Sequence, residues 1–280
     1  MTTSAMRPVR AIVRRAIEAA GLVTLPAREW QRLREAMTLR NVHRKDVVEI
    51  EELYRSFVFP DLPRDPARAE ILHNLHGTTV GEGVHIVHYL HRALRVGGDV
   101  CEFGCNEGAT SRLLAHEILP HAGRRLWLFD SFEGLPAPGE KDRLIDDIAG
   151  TGSMAAYQGD MRAHEEQVRD KLALVPFPPD RTRIIKGWID KTLATADVPG
   201  TVAFAYVDFD FYDPIRLALE FLDRTMPAGG FAVVDDYGFF SEGAQLAVDE
   251  FVAARAARWR MLMPHPAAGK FCILERIAES

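Results

Sequence analysis

The chain has 280 residues, with 34 Lys and Arg against 40 Asp and Glu, a formal net charge of −6. With 47% hydrophobic and 26% charged residues it has the composition of an ordinary globular protein, which excludes disorder, collagen, coiled coil and repeat arrays. No window holds the ~18 uninterrupted apolar residues of a membrane span, and the acidic excess argues against a nucleic-acid partner. Three cysteines, Cys101, Cys105 and Cys272, lack metal-finger spacing. A reduced, cytoplasmic chain without a secretory signal is expected.

Residues 1–50 carry ten Arg and Lys against five Asp and Glu, a local balance of +5. Helical spacing of Ile12, Val13, Ala16, Ile17 and Ala20 predicts a first helix over residues 11–20, and a second is expected over 27–41. The expected role is an accessory layer that packs on the main domain or joins two subunits into a homo-oligomer. Phe57-Val-Phe-Pro60 and Asp61-Leu-Pro-Arg-Asp-Pro66 put three prolines in ten residues, so a continuous helix is excluded. This stretch is either a packed loop or a lid over the substrate. The division expected is an N-terminal helical extension and lid over 1–75, then one domain over 76–280.

From Asp99 on, strands and helices alternate. Strands are predicted at Asp99-Val-Cys-Glu-Phe103, Arg125-Leu-Trp-Leu-Phe-Asp130, Arg183-Ile-Ile-Lys186, Val202-Ala-Phe-Ala-Tyr-Val-Asp208 and Gly230-Phe-Ala-Val-Val-Asp235. Helices are predicted after the first strand and over residues 215–222 and 244–257. Trp259-Arg-Met-Leu-Met263 and Lys270-Phe-Cys-Ile-Leu-Glu275 read as a closing hairpin. The rhythm is that of an α/β fold: a mostly parallel, Rossmann-like sheet ending in an antiparallel strand.

Acidic residues recur where these strands end: Glu102, Asp130, Asp208, Asp235 and Asp236. Ligands of open α/β sheets bind at that edge. Glu102-Phe-Gly-Cys-Asn-Glu-Gly108 departs from the dinucleotide fingerprint, and its Glu suits a cationic amine better than a pyrophosphate. Asp130 stands where a ribose diol is gripped. Amine plus ribose without phosphate points to S-adenosylmethionine. Asp208, Asp235 and Asp236 facing one cavity would repel one another unless a cation, Mg²⁺ or similar, compensates them. Asp210 and Asp213 read as caps of the helix near Pro214. Five histidines, His73, His76, His85, His88 and His91, fall within nineteen residues; they are expected to line the cofactor entrance or to pack, a base or a metal pair being the alternatives.

On these residues the chain resembles the macrocin O-methyltransferase family, whose members methylate sugar hydroxyls of macrolide and aminocoumarin antibiotics. The matching stretches are residues 99–111, Phe129-Asp-Ser-Phe-Glu-Gly-Leu-Pro136, Lys186-Gly-Trp-Ile-Asp-Lys-Thr-Leu193, Val207-Asp-Phe-Asp-Phe-Tyr212, Pro227-Ala-Gly-Gly-Phe-Ala-Val-Val-Asp-Asp-Tyr-Gly238 and Gln245-Leu-Ala-Val-Asp-Glu-Phe251. The resemblance covers about residues 78–275. It implies a class I methyltransferase fold with a seven-stranded sheet, S-adenosylmethionine, and Mg²⁺-dependent transfer to a hydroxyl of a small-molecule acceptor. It implies that Glu102 and the loop over Gly104, Cys105 and Asn106 hold the methionine end, and that Gly108 and Ser111 also belong to the cofactor site. Asp130 and Ser131 would hold the ribose, Gly187 and Trp188 would lie near the adenine, and Thr79 near the cofactor. Asp208, Asp235 and Asp236 match the metal ligands, with Asp208 as the general base or its orienter.

Three features depart from the family. Asp213-Pro214 follows Tyr212 where a polar pair such as Glu-Ser is usual. Phe209 stands where glycine is common and is expected to reshape the acceptor pocket. Residues 141–157 look inserted. A catechol acceptor, or a cofactor-binding protein without chemistry, are the alternative functions.

Overall fold

The computed structural model describes residues 44–194 and 197–278. The two helices expected over 11–20 and 27–41, and the subunit contact assigned to them, lie outside the described residues. Three helices lead in: α1 (Arg44–Phe57), α2 (Arg68–His73) and α3 (Val80–Ala93). There follow β1 (Asp99–Phe103), α4 (Ala109–Ile118), β2 (Leu126–Asp130), α5 (Glu165–Leu172), β3 (Thr182–Lys186) and α6 (Ile189–Thr192). The chain closes with β4 (Val202–Val207), α7 (Tyr212–Thr225), β5 (Phe231–Val234), α8 (Glu242–Ala254), β6 (Trp259–Leu262) and β7 (Cys272–Arg276).

The strands form one sheet in the order β3-β2-β1-β4-β5-β7-β6. The first five are parallel; β7 runs antiparallel to both β5 and β6. The α/β, Rossmann-like sheet with its closing hairpin is thus the architecture expected from the sequence. All six residues of β4 are buried, as suits a central strand covered on both faces. One core lies under α1 to α5 and the other under α7 and α8. Strand order reverses between β1 and β4, so a crevice opens at their carboxyl ends.

The proline-rich stretch after α1 is a packed loop. Phe59 stacks on His88 of α3 at 3.8 Å between ring centroids, and Leu62 is buried. His85 and His88 belong to this aromatic packing; burial holds their imidazoles down, near 4 and 3 respectively, so both are neutral. His85 donates from Nδ1 to the Gly81 carbonyl. Neither histidine, and no residue of 50–75, lines the cavities described next.

Candidate active site

The loop after β1 is pressed against the loop after β4. A Cβ on Gly104, whose φ is +86°, would lie 1.8 Å from the Asp208 carbonyl oxygen, so only glycine fits. The loop is fastened to the end of β2 by Asp130, whose Oδ2 accepts from the Cys105 and Asn106 N–H groups at 2.9 Å each. Its Oδ1 accepts from Phe132 N at 2.7 Å. Cys105 thus contributes its backbone. Glu102 is buried and accepts from Ser111 Oγ at 2.5 Å. Burial pushes its carboxyl up to about 8. Gly108 caps α4 in the left-handed region, packed on Val168 of α5.

Two cavities open at this crevice. The first is lined by Gly104, Asn106, Asp130, Ser131, Gly187 and Trp188, together with Leu135, Met161 and Phe209. The second is lined by His76, Thr78, Glu102, Gly104, Cys105 and Asn106 on one side. Ile148, Met161, Phe239 and Phe240 close the other, over a floor of Asp208, Asp210, Asp235 and Asp236. The cavities share Gly104, Asn106, Met161, Asp208 and Asp210.

Carboxylate oxygens of Asp208, Asp210 and Asp236 lie within 4.8 Å of one another. Asp235 lines the same cavity but stands outside that trio. Its Oδ2 accepts from the Tyr206 hydroxyl at 2.8 Å and its Oδ1 from Asp236 N at 2.8 Å. Behind it, buried Glu82 lies 3.3 Å from the Tyr206 hydroxyl oxygen and hydrogen-bonds Asp235. Burial first, then repulsion by Asp235 and Asp210, raises the Asp208 carboxyl well above its ordinary range. Burial and then Asp210 and Asp235 do the same to Asp236. Burial brings Asp210 to about 6. The described residues lining the two cavities include no lysine or arginine, so this charge has no resident counter-ion. Oxygen donors in this number and spacing fit a hard divalent cation.

Several expected placements shift. Asp210 does not cap α7; the cap position is Phe211, without a side-chain bond, and Asp210 sits at φ +60° with its carboxylate in the acid cluster. The Tyr212 N–H that a cap would have taken is accepted by Asp142 of the inserted segment. Asp213 lies in the first turn and pairs with Arg216. Phe209 lines the first cavity and not the second, edge-on to Phe103 at 6.1 Å and next to Asp208 and Asp210. The Thr79 hydroxyl is spent on capping α3, accepting from Glu82 N at 3.0 Å and donating to the Ala268 carbonyl, whereas Thr78 faces the cavity. Ser111 is sealed behind Glu102.

Glu82, Tyr206, Thr78 and the apolar wall of Ile148, Met161 and Phe239 were not foreseen. Thr79-x-x-Glu82 has the spacing of a capping box, which accounts for Glu82 without a tertiary partner. In the fold only the threonine half of that box forms with the side chain, and the carboxyl goes to Tyr206 and Asp235.

No described helix is long and apolar enough to cross a membrane. The chain is similar to a tetracenomycin 4'-O-methyltransferase of Streptomyces olivaceus, with 32% identity over 144 residues, 51% of this chain and 54% of that one. It is similar also to demethyldecarbamoylnovobiocin O-methyltransferase of Streptomyces niveus, with 32% identity over 162 residues, 56% of this chain and 59% of that one. The matches thus span little more than half the length of these relatives. Among solved structures, the O-methyltransferase NovP superposes with a TM-score of 0.60 at 26% identity, covering 71% of this chain and 81% of NovP. Calicheamicin methyltransferase CalS11, at 19% identity and a TM-score of 0.53, shares the fold over 90% of this chain and 95% of its own. The macrocin-O-methyltransferase (TylF) family matches residues 86–262, well over half of the sequence, and the chain belongs to that family.

Proposed function

We propose that the protein transfers the methyl group of S-adenosylmethionine to a hydroxyl of a small molecule, a sugar of a glycosylated natural product, with a divalent cation, Mg²⁺ or similar, at the acid cluster. The observation that carries this reading is the pair of adjoining cavities that share Asp208: one polar and partly aromatic, the other floored by uncompensated carboxylates. The named activities of the two Streptomyces relatives agree with it.

In this reading Asp130 and Ser131 hold the ribose, and Gly187, Trp188 and Phe209 enclose the adenine. Glu102 and the loop over Gly104, Cys105 and Asn106 receive the methionine end, and Ser111 orients Glu102. Asp208, Asp210 and Asp236 hold the cation, with Asp235 beside them. When bound, the ion supplies Lewis-acid stabilisation of negative charge on an acceptor oxygen. Asp208, at the seam of the cavities, takes the hydroxyl proton. The S–CH₃ bond breaks with its electron pair staying on sulfur, and the oxygen lone pair forms the new O–CH₃ bond. Most of the acceleration then comes from holding oxygen, methyl and sulfur in line. Ile148, Met161 and Phe239 offer an apolar wall to the rest of the acceptor.

Labelled S-adenosylmethionine presented with a panel of glycosides, catechols and hydroxy acids tests the reading. The expected result is label on a glycoside, lost in excess chelator and reduced about 100-fold or more by Asp208→Asn, with cofactor affinity changed less than about threefold. Full turnover in chelator overturns the metal assignment. Cofactor binding with no transfer to any acceptor overturns the enzyme assignment.

A further inference from the structure

The segment 139–145 is wired into both acid-bearing loops. Asp142 is buried, and its Oδ1 accepts from Tyr212 N, the first residue of α7, at 2.8 Å. The same oxygen accepts from Ser241 Oγ, at the N-cap of α8, at 3.2 Å. Oδ2 accepts from Gly139 N at 2.8 Å, closing the segment on itself. Backbone bonds run alongside. Ile145 N donates to the Phe240 carbonyl and Glu242 N to the Arg143 carbonyl, each at 2.8 Å, and Leu144 bridges Ser241. The approach is close enough that a Cβ on Gly243 would fall 1.9 Å from Asp142 Oδ1.

What the strap holds is strained. Asp210, Asp236 and Phe240 all adopt left-handed φ, at +60°, +58° and +52°. Non-glycine residues there persist only where the surroundings over-determine them. Asp208 and Asp210 precede α7 directly, and Asp235 and Asp236 lie five or six residues before the Ser241 cap. The two loops belong to different strands, and one carboxylate oxygen ties both helix starts together.

We propose that Asp142 is a positioning residue that fixes the loop after β4 against the loop after β5, so that Asp208, Asp210 and Asp236 converge on one ion. It touches neither cavity floor; it acts through Tyr212 and Ser241. The proposal rests on the divalent cation assigned above. It gives the inserted segment a second task besides supplying Ile148 to the cavity wall.

Mn²⁺ and S-adenosylmethionine binding, measured separately by calorimetry on the full chain, decide it. Asp142→Asn keeps the volume and puts an amide where N–H and O–H donors converge. Mn²⁺ affinity is expected to fall about tenfold or more, the scale of an outer-shell partner, with S-adenosylmethionine affinity within about threefold of the parent. Ser241→Ala, which removes one of the three contacts, should weaken Mn²⁺ by a smaller factor. A parent protein that binds no Mn²⁺ overturns the cation assignment and the strap with it. A parent that binds Mn²⁺ beside an Asp142→Asn variant of equal Mn²⁺ affinity overturns the strap alone. If Asp142→Asn also loses the cofactor, Ser241→Ala decides, and parental Mn²⁺ affinity there overturns the proposal.

Discussion

Glu51 and Glu117 are buried around Arg68, among α1, α2 and α4, whereas Asp208, Asp210, Asp235 and Asp236 gather at the strand ends with no arginine or lysine lining their cavity. Arg68 uses its whole guanidinium fork. Nε and Nη2 donate to the two Glu117 oxygens at 2.7 and 2.8 Å, and Nη1 donates to Glu51 and to the Pro63 carbonyl at 2.7 Å each. His91 adds a bond to Glu117 at 2.7 Å. Burial works against a charged Glu117, yet the bonds from His91 and Arg68 outweigh it and hold its carboxyl below the ordinary value. Glu51, with its single bond from Arg68, is still raised by burial. At the strand ends no arginine or lysine lines the cavity to oppose burial, and the carboxyls rise. Both places contain three side chains whose potential ligand atoms lie within 4.8 Å of one another, Asp65, His116 and Glu117 in the first. Proximity of such atoms is thus common to both clusters, and what differs is the resident arginine.

The largest effect expected from this contrast is on stability. Arg68→Met leaves Glu117 and Glu51 buried without their partner and should cost about 3–5 kcal/mol in urea unfolding. Asp236→Asn, made in metal-free buffer, replaces a carboxyl whose charged form burial and Asp210 disfavour, and should leave stability equal or higher. Arg68→Met within about 1 kcal/mol of the parent would break the comparison, because the helical cluster would then not depend on its cation.

The pH profile offers a second, smaller handle. Glu102 is raised from an ordinary 4.5 to about 8 by burial, against which the Ser111 bond works. Between those values the folded chain holds a proton that the unfolded chain has released, so stability falls as pH rises through this window. Glu117, lowered, behaves oppositely: its contribution is present above 4.5 and is lost as pH falls through its depressed value. Glu102→Gln should therefore flatten the decline between pH 4.5 and 8 while leaving the acid limb intact. An unchanged slope would show that Glu102 is not charged at the expense of folding. The same variant should bind S-adenosylmethionine more weakly, having lost the carboxylate assigned to the amine.

How much of this could be read in the sequence follows the range of the interactions. The strands, their parallel order and the closing hairpin rest on local apolar runs and turn residues, and these were legible. So was the row of acids at the strand ends, since each terminates its own strand. Asp210 was misassigned because an acid just before a helix is the ordinary mark of a cap, and only the fold shows that Asp142 took that task. Glu82 and Tyr206, 124 residues apart, meet only through the packing of α3 on the sheet. The Arg68 cluster draws on four helices, and nothing in any one of them marks it.

The smallest predicted effect lies at the rim of that cluster. His116 Nε2 donates to Asp65 Oδ2 at 2.6 Å, and the two side chains are 15% and 30% exposed. Partial hydration on both sides discounts the pair, so His116→Gln should cost under about 1 kcal/mol at pH 7. Urea unfolding beside Arg68→Met makes the comparison direct. A loss within that bound places the stabilisation at the sealed guanidinium, where burial makes an unpaired partner expensive. A loss approaching that of Arg68→Met would mean that Asp65, His116, Glu117 and Arg68 stand or fall together as one network, and that the boundary between its centre and its rim is not set by exposure.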